Sequence, residues 1–213
     1  QPWVADISTS FVGVGLALPR IGTLALGITQ VGYGEIPVTN LDFQEGTGEM
    51  FTANDIAASL SYSRRLAQWF SFGASFKYVN SKIWHTSASA MAIDLGVKLN
   101  THFFSPTGEK ADGMNIGMSI SNYGTRMKYD GLDLLQPIDI LPNEQGNYQF
   151  ASGKFESVDW ELPLIFRVGV SVHPIIVGAH RVTLALDALH PNNNTESINL
   201  GAQYQLKVPA FGS

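Results

Sequence analysis

The sequence predicts an all-β protein, a transmembrane antiparallel up-and-down β-barrel. Three observations predict it. Apolar residues alternate with small polar ones, the alternating runs are long, and the connections between them are short and long by turns. Side chains in a strand point to opposite faces with a period of two, so alternation is the strand signature. No stretch shows the 3.6-residue period of an amphipathic helix.

The alternation is plainest in the centre. Met91, Ile93, Leu95, Val97 and Leu99 share one face, against Ala92, Asp94, Gly96, Lys98 and Asn100 on the other. Met114, Ile116, Met118 and Ile120 oppose Asn115, Gly117, Ser119 and Ser121. The same holds for Ile56–Tyr62, Phe70–Tyr78, Leu164–Val172, Val182–Leu186 and Ile198–Leu206. Nine strands are predicted, at 3–18, 22–33, 54–65, 69–84, 88–102, 113–123, 162–173, 180–189 and 197–207. At Phe11–Val12 the apolar parity switches, which predicts a β-bulge or a bend there. These runs exceed the roughly 5–6 residues of a globular strand and suit a tilted span of about 9–11 residues with extensions.

The second face is built of Gly, Ser, Ala, Thr and Asn, with Asp94, Lys98, Arg167 and Asp187 scattered along it. A barrel interior has this character, with the apolar face turned to lipid. A large soluble β-sandwich or β-clam would instead bury the apolar face and charge the other. The length of the strands and the small second face favour the barrel.

Composition narrows the remaining classes. Hydrophobic residues make up 45% of the 213 residues and charged residues 15%, below the roughly 25% charge of a soluble domain. The absence of Cys excludes a disulfide framework and a thiolate metal site. The net charge is −5 with no basic patch, which argues against a nucleic-acid partner. The longest purely apolar or Gly run, Phe11–Leu18, is far short of the roughly 20 residues of a spanning helix. Gln1 opens neither a basic n-region nor an apolar h-region, so the chain reads as processed or as a fragment.

Connections order the strands. Pro19–Gly22, Arg65–Trp69 and His173–His180 are short; Gly34–Ala53 and Gly124–Glu161 are long, and Pro191–Glu196 is Asn-rich. Short periplasmic turns alternating with longer outer loops are the outer-membrane arrangement. Phe103–Asp112 is long for a periplasmic turn, and the connection at His85 is short for an outer loop. The parity predicts at least one strand before Gln1, and nine is odd where bacterial barrels are even.

The segments DIAASLSYSRRLAQWFSFGASFKYV (55–79), AMAIDLGVKLN (90–100), MNIGMSISNYGTRMKYDG (114–131), LPLIFRVGVSV (162–172) and HRVTLALDALHPNNNTESINLGAQY (180–204) resemble the PorV/PorQ family of FadL-like outer-membrane barrels, in order along nearly the whole chain. The resemblance implies fourteen strands, one before and four after those visible here, and an N-terminal segment that partly plugs the lumen. It also implies a place in the type IX secretion system of Bacteroidota. PorV-like members shuttle secreted cargo, held through its C-terminal domain, from the large translocon barrel to the attachment machinery. PorQ-like members associate with the surface-attachment complex.

Candidate site residues follow. Asp94, Lys98, Arg167 and Asp187 are expected to form a polar network in the lumen, or else a filter or plug-docking site. Trp3, Trp69, Trp84, Phe70, Phe103, Phe104 and Trp160 fall near strand ends, and Trp69, Trp84 and Trp160 fit an interfacial girdle. The 124–161 connection holds Leu132, Leu134, Leu135, Ile138, Ile140 and Leu141 with Pro137 and Pro142, and this much apolar surface needs a cover, in the barrel mouth or on a partner. His85, His102, His173, His180 and His190 lack metal-ligand spacing on any one strand face. No G-x-S-x-G motif is present, and Asn193–Thr195 reads as a polar loop despite its sequon pattern. The sequence therefore predicts no catalytic residue, cofactor or metal. The expected partners are outer-membrane lipid, the translocon barrel and cargo C-terminal domains. A FadL-type passive channel for hydrophobic small molecules is the rival reading, and an outer-membrane hydrolase a third.

Overall fold

A computed structural model describes residues 7–143 and 151–207. Nine strands form one antiparallel meander: β1 (Ser8–Leu18), β2 (Gly22–Pro37), β3 (Met50–Ala67), β4 (Phe70–Ile83), β5 (Thr86–Asn100), β6 (Asn115–Gly124), β10 (Ile165–Val177), β11 (His180–Pro191) and β12 (Ser197–Leu206). The short β7 (Asp130–Gly131) adds to β5, and β8 (Leu135–Ile138) pairs β9 (Ala151–Lys154) in a separate hairpin. A 3-10 turn, Leu132–Leu134, lies between β7 and β8, and no α-helix occurs among the described residues. The sheet runs in order from β1 to β12 and is open, and among the described residues no further strand pairs with the outer side of either. The predicted strands at 3–18 and onward thus correspond one to one with the meander. Residues 3–6 of the first lie outside the described residues, as does Trp3.

Of the bulge or bend expected in β1, the bulge is absent. The β1–β2 register runs unbroken from Ser8↔Gly32 to Leu18↔Gly22, so there is no bulge at Phe11–Val12. Phe11 keeps the regular alternation and points to the small-residue face. Gly13 and Gly27 make room for its ring, which stands 3.0 Å and 3.3 Å from where their Cβ atoms would be. The actual register shifts lie at Gly32/Glu35, Arg65/Ala67, Ile93/Leu95 and Val172/Ile175. The last contains Pro174, which has no N–H to give to a ladder.

Large apolar side chains stay open on one face of the sheet. Across β4, β5 and β6 the apolar face is open: Phe76 is 47% exposed, Ile93 46% and Leu95 54%. The small residues behind them on β5 are covered, with Ala88, Ala90 and Ala92 at 3%, 3% and 1%. Among the described residues the only other buried hydrophobic is Met127, and no large side chain is fully enclosed. A soluble chain of this length gathers its large apolar side chains inside.

The open apolar face is a continuous band. Val12, Ile28, Ala58, Tyr78 and Met91 share one cross-strand row at its upper edge. Above them lies a row of Ser10, Gln30, Ile56, Asn80 and Ser89, polar except at Ile56. By β12 the upper edge has moved to the row of Val97, Met118, Val168, Ala188 and Ile198, six residues further along β5. The edge is thus level from β1 to β5 and shifts only between β5 and β11.

Candidate functional site

The small-residue face carries a cavity of about 540 Å³, and all four predicted lumen charges line it, with serines and glycines between them. Asp94 pairs with Lys77 of β4 at 2.6 Å, not with Lys98 or Arg167. Asn122 completes the knot. Its amide N–H donates to Asp94 Oδ1 (2.8 Å), its side-chain oxygen accepts from Lys77 Nζ (2.9 Å), and its Nδ2 donates to the Pro163 carbonyl (2.9 Å). The Ile93/Leu95 register shift sits beside this knot, and Asn122 takes φ 64, a left-handed conformation that Asn tolerates better than most residues. Lys98, Arg167 and Asp187 form no ion pair among the described residues, so the expected four-residue network reduces to one pair plus Asn122. Asp187 leans its carboxylate over Gly169, into the space that a Cβ there would fill.

One end of this face is covered by the connection after β6. Gly124 and Gly131 lie directly on the β5 backbone, at Met91–Ala92 and at His85–Thr86, where no Cβ would fit. Between them the chain forms a two-sided ribbon. Met127 turns inward and packs on Ala88 and Ala90, with Tyr129, Val79 and Leu162 around it. The Tyr129 hydroxyl hydrogen-bonds that of Ser81 at 2.7 Å. Arg126, Lys128 and Asp130 turn outward and meet Asp159 and Glu161, Glu156, and Lys154 on the returning arm. Met127 and Trp160 form a bridge between the arms. The alternation of SASAMA, small on the face beneath the ribbon, leaves the room for it.

Asp133 locks the far end of the ribbon. It accepts from the His85 N–H (2.9 Å) and the Thr86 hydroxyl (3.0 Å), and the His85 ring lies 3.0 Å away. Partial burial pushes the Asp133 carboxyl up, but these hydrogen bonds outweigh it and hold the group below its usual range. Asp130 beside Lys154 and Asp159 beside Arg126 are also held low, chiefly by those side-chain hydrogen bonds. The predicted mouth loop is thus split. Its inward part is Met127 and Tyr129, whereas Leu132, Leu135, Ile138, Ile140 and Leu141 remain exposed and Leu134 is half-buried.

The other end is covered by residues 101–114. Arg181 of β11 reaches Asp112 at 3.5 Å and the Ala111 carbonyl at 3.5 Å, across β10. This accounts for the excess length of a connection expected to be a bare turn. Beneath lies buried His173, whose Nε2 is 3.5 Å from Asn115 Nδ2. His173 Nδ1 and Asn100 Oδ1 are enclosed without a hydrogen-bond partner among the described residues.

The aromatic residues divide by end. Trp69 stacks obliquely on Phe70 at the short-turn end, 5.7 Å between centroids. Trp84, in the β4–β5 turn, contacts Phe51 and His85 at the opposite end. Trp160 is not at a strand end: it rides the ribbon, against Tyr129 at 5.0 Å. Among the described residues no group of three His, Asp or Glu side chains converges on a point that could hold a metal ion.

No protein-family model matches the chain, and no curated protein matches it.

Proposed function

We propose that this chain is the body of an outer-membrane β-barrel of the PorV/PorQ type, a non-enzymatic shuttle or scaffold in type IX protein secretion. The observation that supports the membrane part is the open apolar face: large apolar residues stay exposed across the sheet, while Ala88, Ala90 and Ala92 of the other face are covered. The reading requires the sheet to close through further strand pairing, since unpaired backbone in hydrocarbon costs several kcal/mol per group. The secretion role rests on the ordered sequence resemblance, and the exposed Leu132, Ile138 and Ile140 of the long connection offer a surface for protein partners.

Two experiments test this. Cysteines placed at Leu26, Leu60 and Ile93 should react with a membrane-soluble maleimide and resist a water-soluble one in bilayers; equal reaction with both defeats the membrane reading. Affinity capture from mild detergent should then recover a large barrel protein and secreted chains sharing a C-terminal domain. Recovery of fatty acid alone would instead favour a channel for hydrophobic small molecules.

A further inference from the structure

Lys98 and Asp187 share one cross-strand row of the small-residue face. The row runs Ser71, Lys98, Gly117, Gly169 and Asp187, from β4 to β11. Residues directly opposite in a ladder share a face, and all five line the cavity. Lys98 and Asp187 carry opposite charges, yet neither has an ion-pair partner among the described residues. Their backbones stand three strand steps apart, about 14 Å, too far for the two to pair with each other. Between them the floor is glycine. Nothing lies within 4 Å of where a Cβ on Gly117 would stand, and the Asp187 carboxylate leans inward over Gly169. Arg167 lines the same cavity, opposite Ser119 on the next row of this face. The remaining carboxylate of the cavity, Asp94, is already taken by Lys77.

From this arrangement we propose that the cavity binds a small zwitterion over Gly117 and Gly169, with its carboxylate toward Lys98 and Arg167 and its ammonium on Asp187. A simple anion would use the two cations and meet Asp187 as a repelling charge. A simple cation would meet Lys98 and Arg167 in the same way. A ligand with both charges matches both ends of the glycine floor. The gap left once both side chains reach into it suits a molecule of amino-acid to dipeptide size. The cavity, about 540 Å³, is of the size that small-molecule sites have, roughly 300–1,000 Å³. The site needs only the register and the cavity, whatever the apolar face meets.

Calorimetric titration of the full chain in mild detergent tests it, with glycylglycine as the probe. Two derivatives each lack one charge: N-acetylglycylglycine has no ammonium, and glycylglycine amide has no carboxylate. Glycylglycine should bind, and each derivative should bind about fivefold more weakly or worse, since a charged hydrogen bond is lost in a site that water still reaches. Asp187→Asn should erase the difference between glycylglycine and its acetyl derivative. Lys98→Gln should narrow the difference between glycylglycine and its amide. Gly117→Val, which fills the floor and alters no charge, should weaken binding of glycylglycine, and Lys207→Gln, outside the cavity, should leave it unchanged. Circular dichroism and a cooperative melt report that each variant is folded; where one is not, the three probes on the unaltered chain decide. No binding of glycylglycine, or unchanged binding in Gly117→Val, would overturn the proposal. So would equal binding of the acetyl derivative, which marks a plain anion site, or of the amide, which marks a plain cation site.

Discussion

Lys77 and Asp94 are diagonal neighbours across β4 and β5, joined at 2.6 Å on the small-residue face, with Ala92 and Ser75 as their direct opposites. Both side chains are partly covered, at 26% and 22% exposure. Removing one partner strands the other charge beside Asn122. Asp94→Asn or Lys77→Met should lower unfolding stability by about 1–2 kcal/mol, below the 3–5 of a fully buried pair because water still reaches this one. The double variant should recover part of the loss. Urea titration in lipid or detergent measures this, and additive single effects would show that the two residues are not coupled.

A charge on the apolar face separates the two readings of the fold directly. Ile93→Arg on a water-exposed sheet surface should change stability by no more than about 0.5 kcal/mol. In a bilayer the same substitution should cost about 2–4 kcal/mol near the midplane. The difference is read from refolding into vesicles.

Two glycine substitutions of the same size should differ sharply. At Gly131 a methyl group meets the His85 carbonyl and the Thr86 Cα, which are backbone and cannot yield. Gly131→Ala should lift the ribbon and open the 125–161 segment to trypsin, with a loss of about 2 kcal/mol or more. At Gly169 the methyl group meets only the Asp187 carboxylate, the free end of a side chain. Gly169→Ala should cost less than about 1 kcal/mol. Similar protease sensitivity in both variants would contradict the close approach of the ribbon to β5.

The Asp133 latch sets a pH dependence of known sign. Its carboxyl is held below the usual range in the folded chain, so the unfolded chain binds the proton more readily. The contribution to stability is therefore full above the unfolded value, near pH 4, and is lost as pH falls through the lower, folded value. Asp130 and Asp159 act in the same direction. Hydrogen exchange at His85 and Thr86 should stay slow from pH 7 to about pH 4 and rise below it. In Asp133→Asn it should be fast throughout, and a rise centred near neutral pH would point away from Asp133.

Much of the sheet was legible in the sequence. A period of two needs only the residue types, so the nine meander strands, their faces and the long and short connections all follow from order along the chain. The candidate site was legible in part. Asp94, Lys98, Arg167 and Asp187 were placed on the cavity by parity, but Lys77, the actual partner of Asp94, gave no local sign because a cross-strand diagonal depends on register. The bulge expected at Phe11 was absent because a large ring on the small face was balanced by two glycines, one of them on the next strand.

By itself the sequence determined which residues alternate, and hence a two-faced antiparallel sheet with one greasy side and one small, hydrophilic side. Only the tertiary structure decided that Met127 and Tyr129 fold in over Ala88 and Ala90, that Asp112 reaches Arg181, and that the Tyr62 hydroxyl ties the end of β3 to the β1–β2 turn at Ile21. The reason is range. Alternation is a property of neighbouring residues, whereas these contacts join positions dozens of residues apart and exist only once the register of every intervening strand is set.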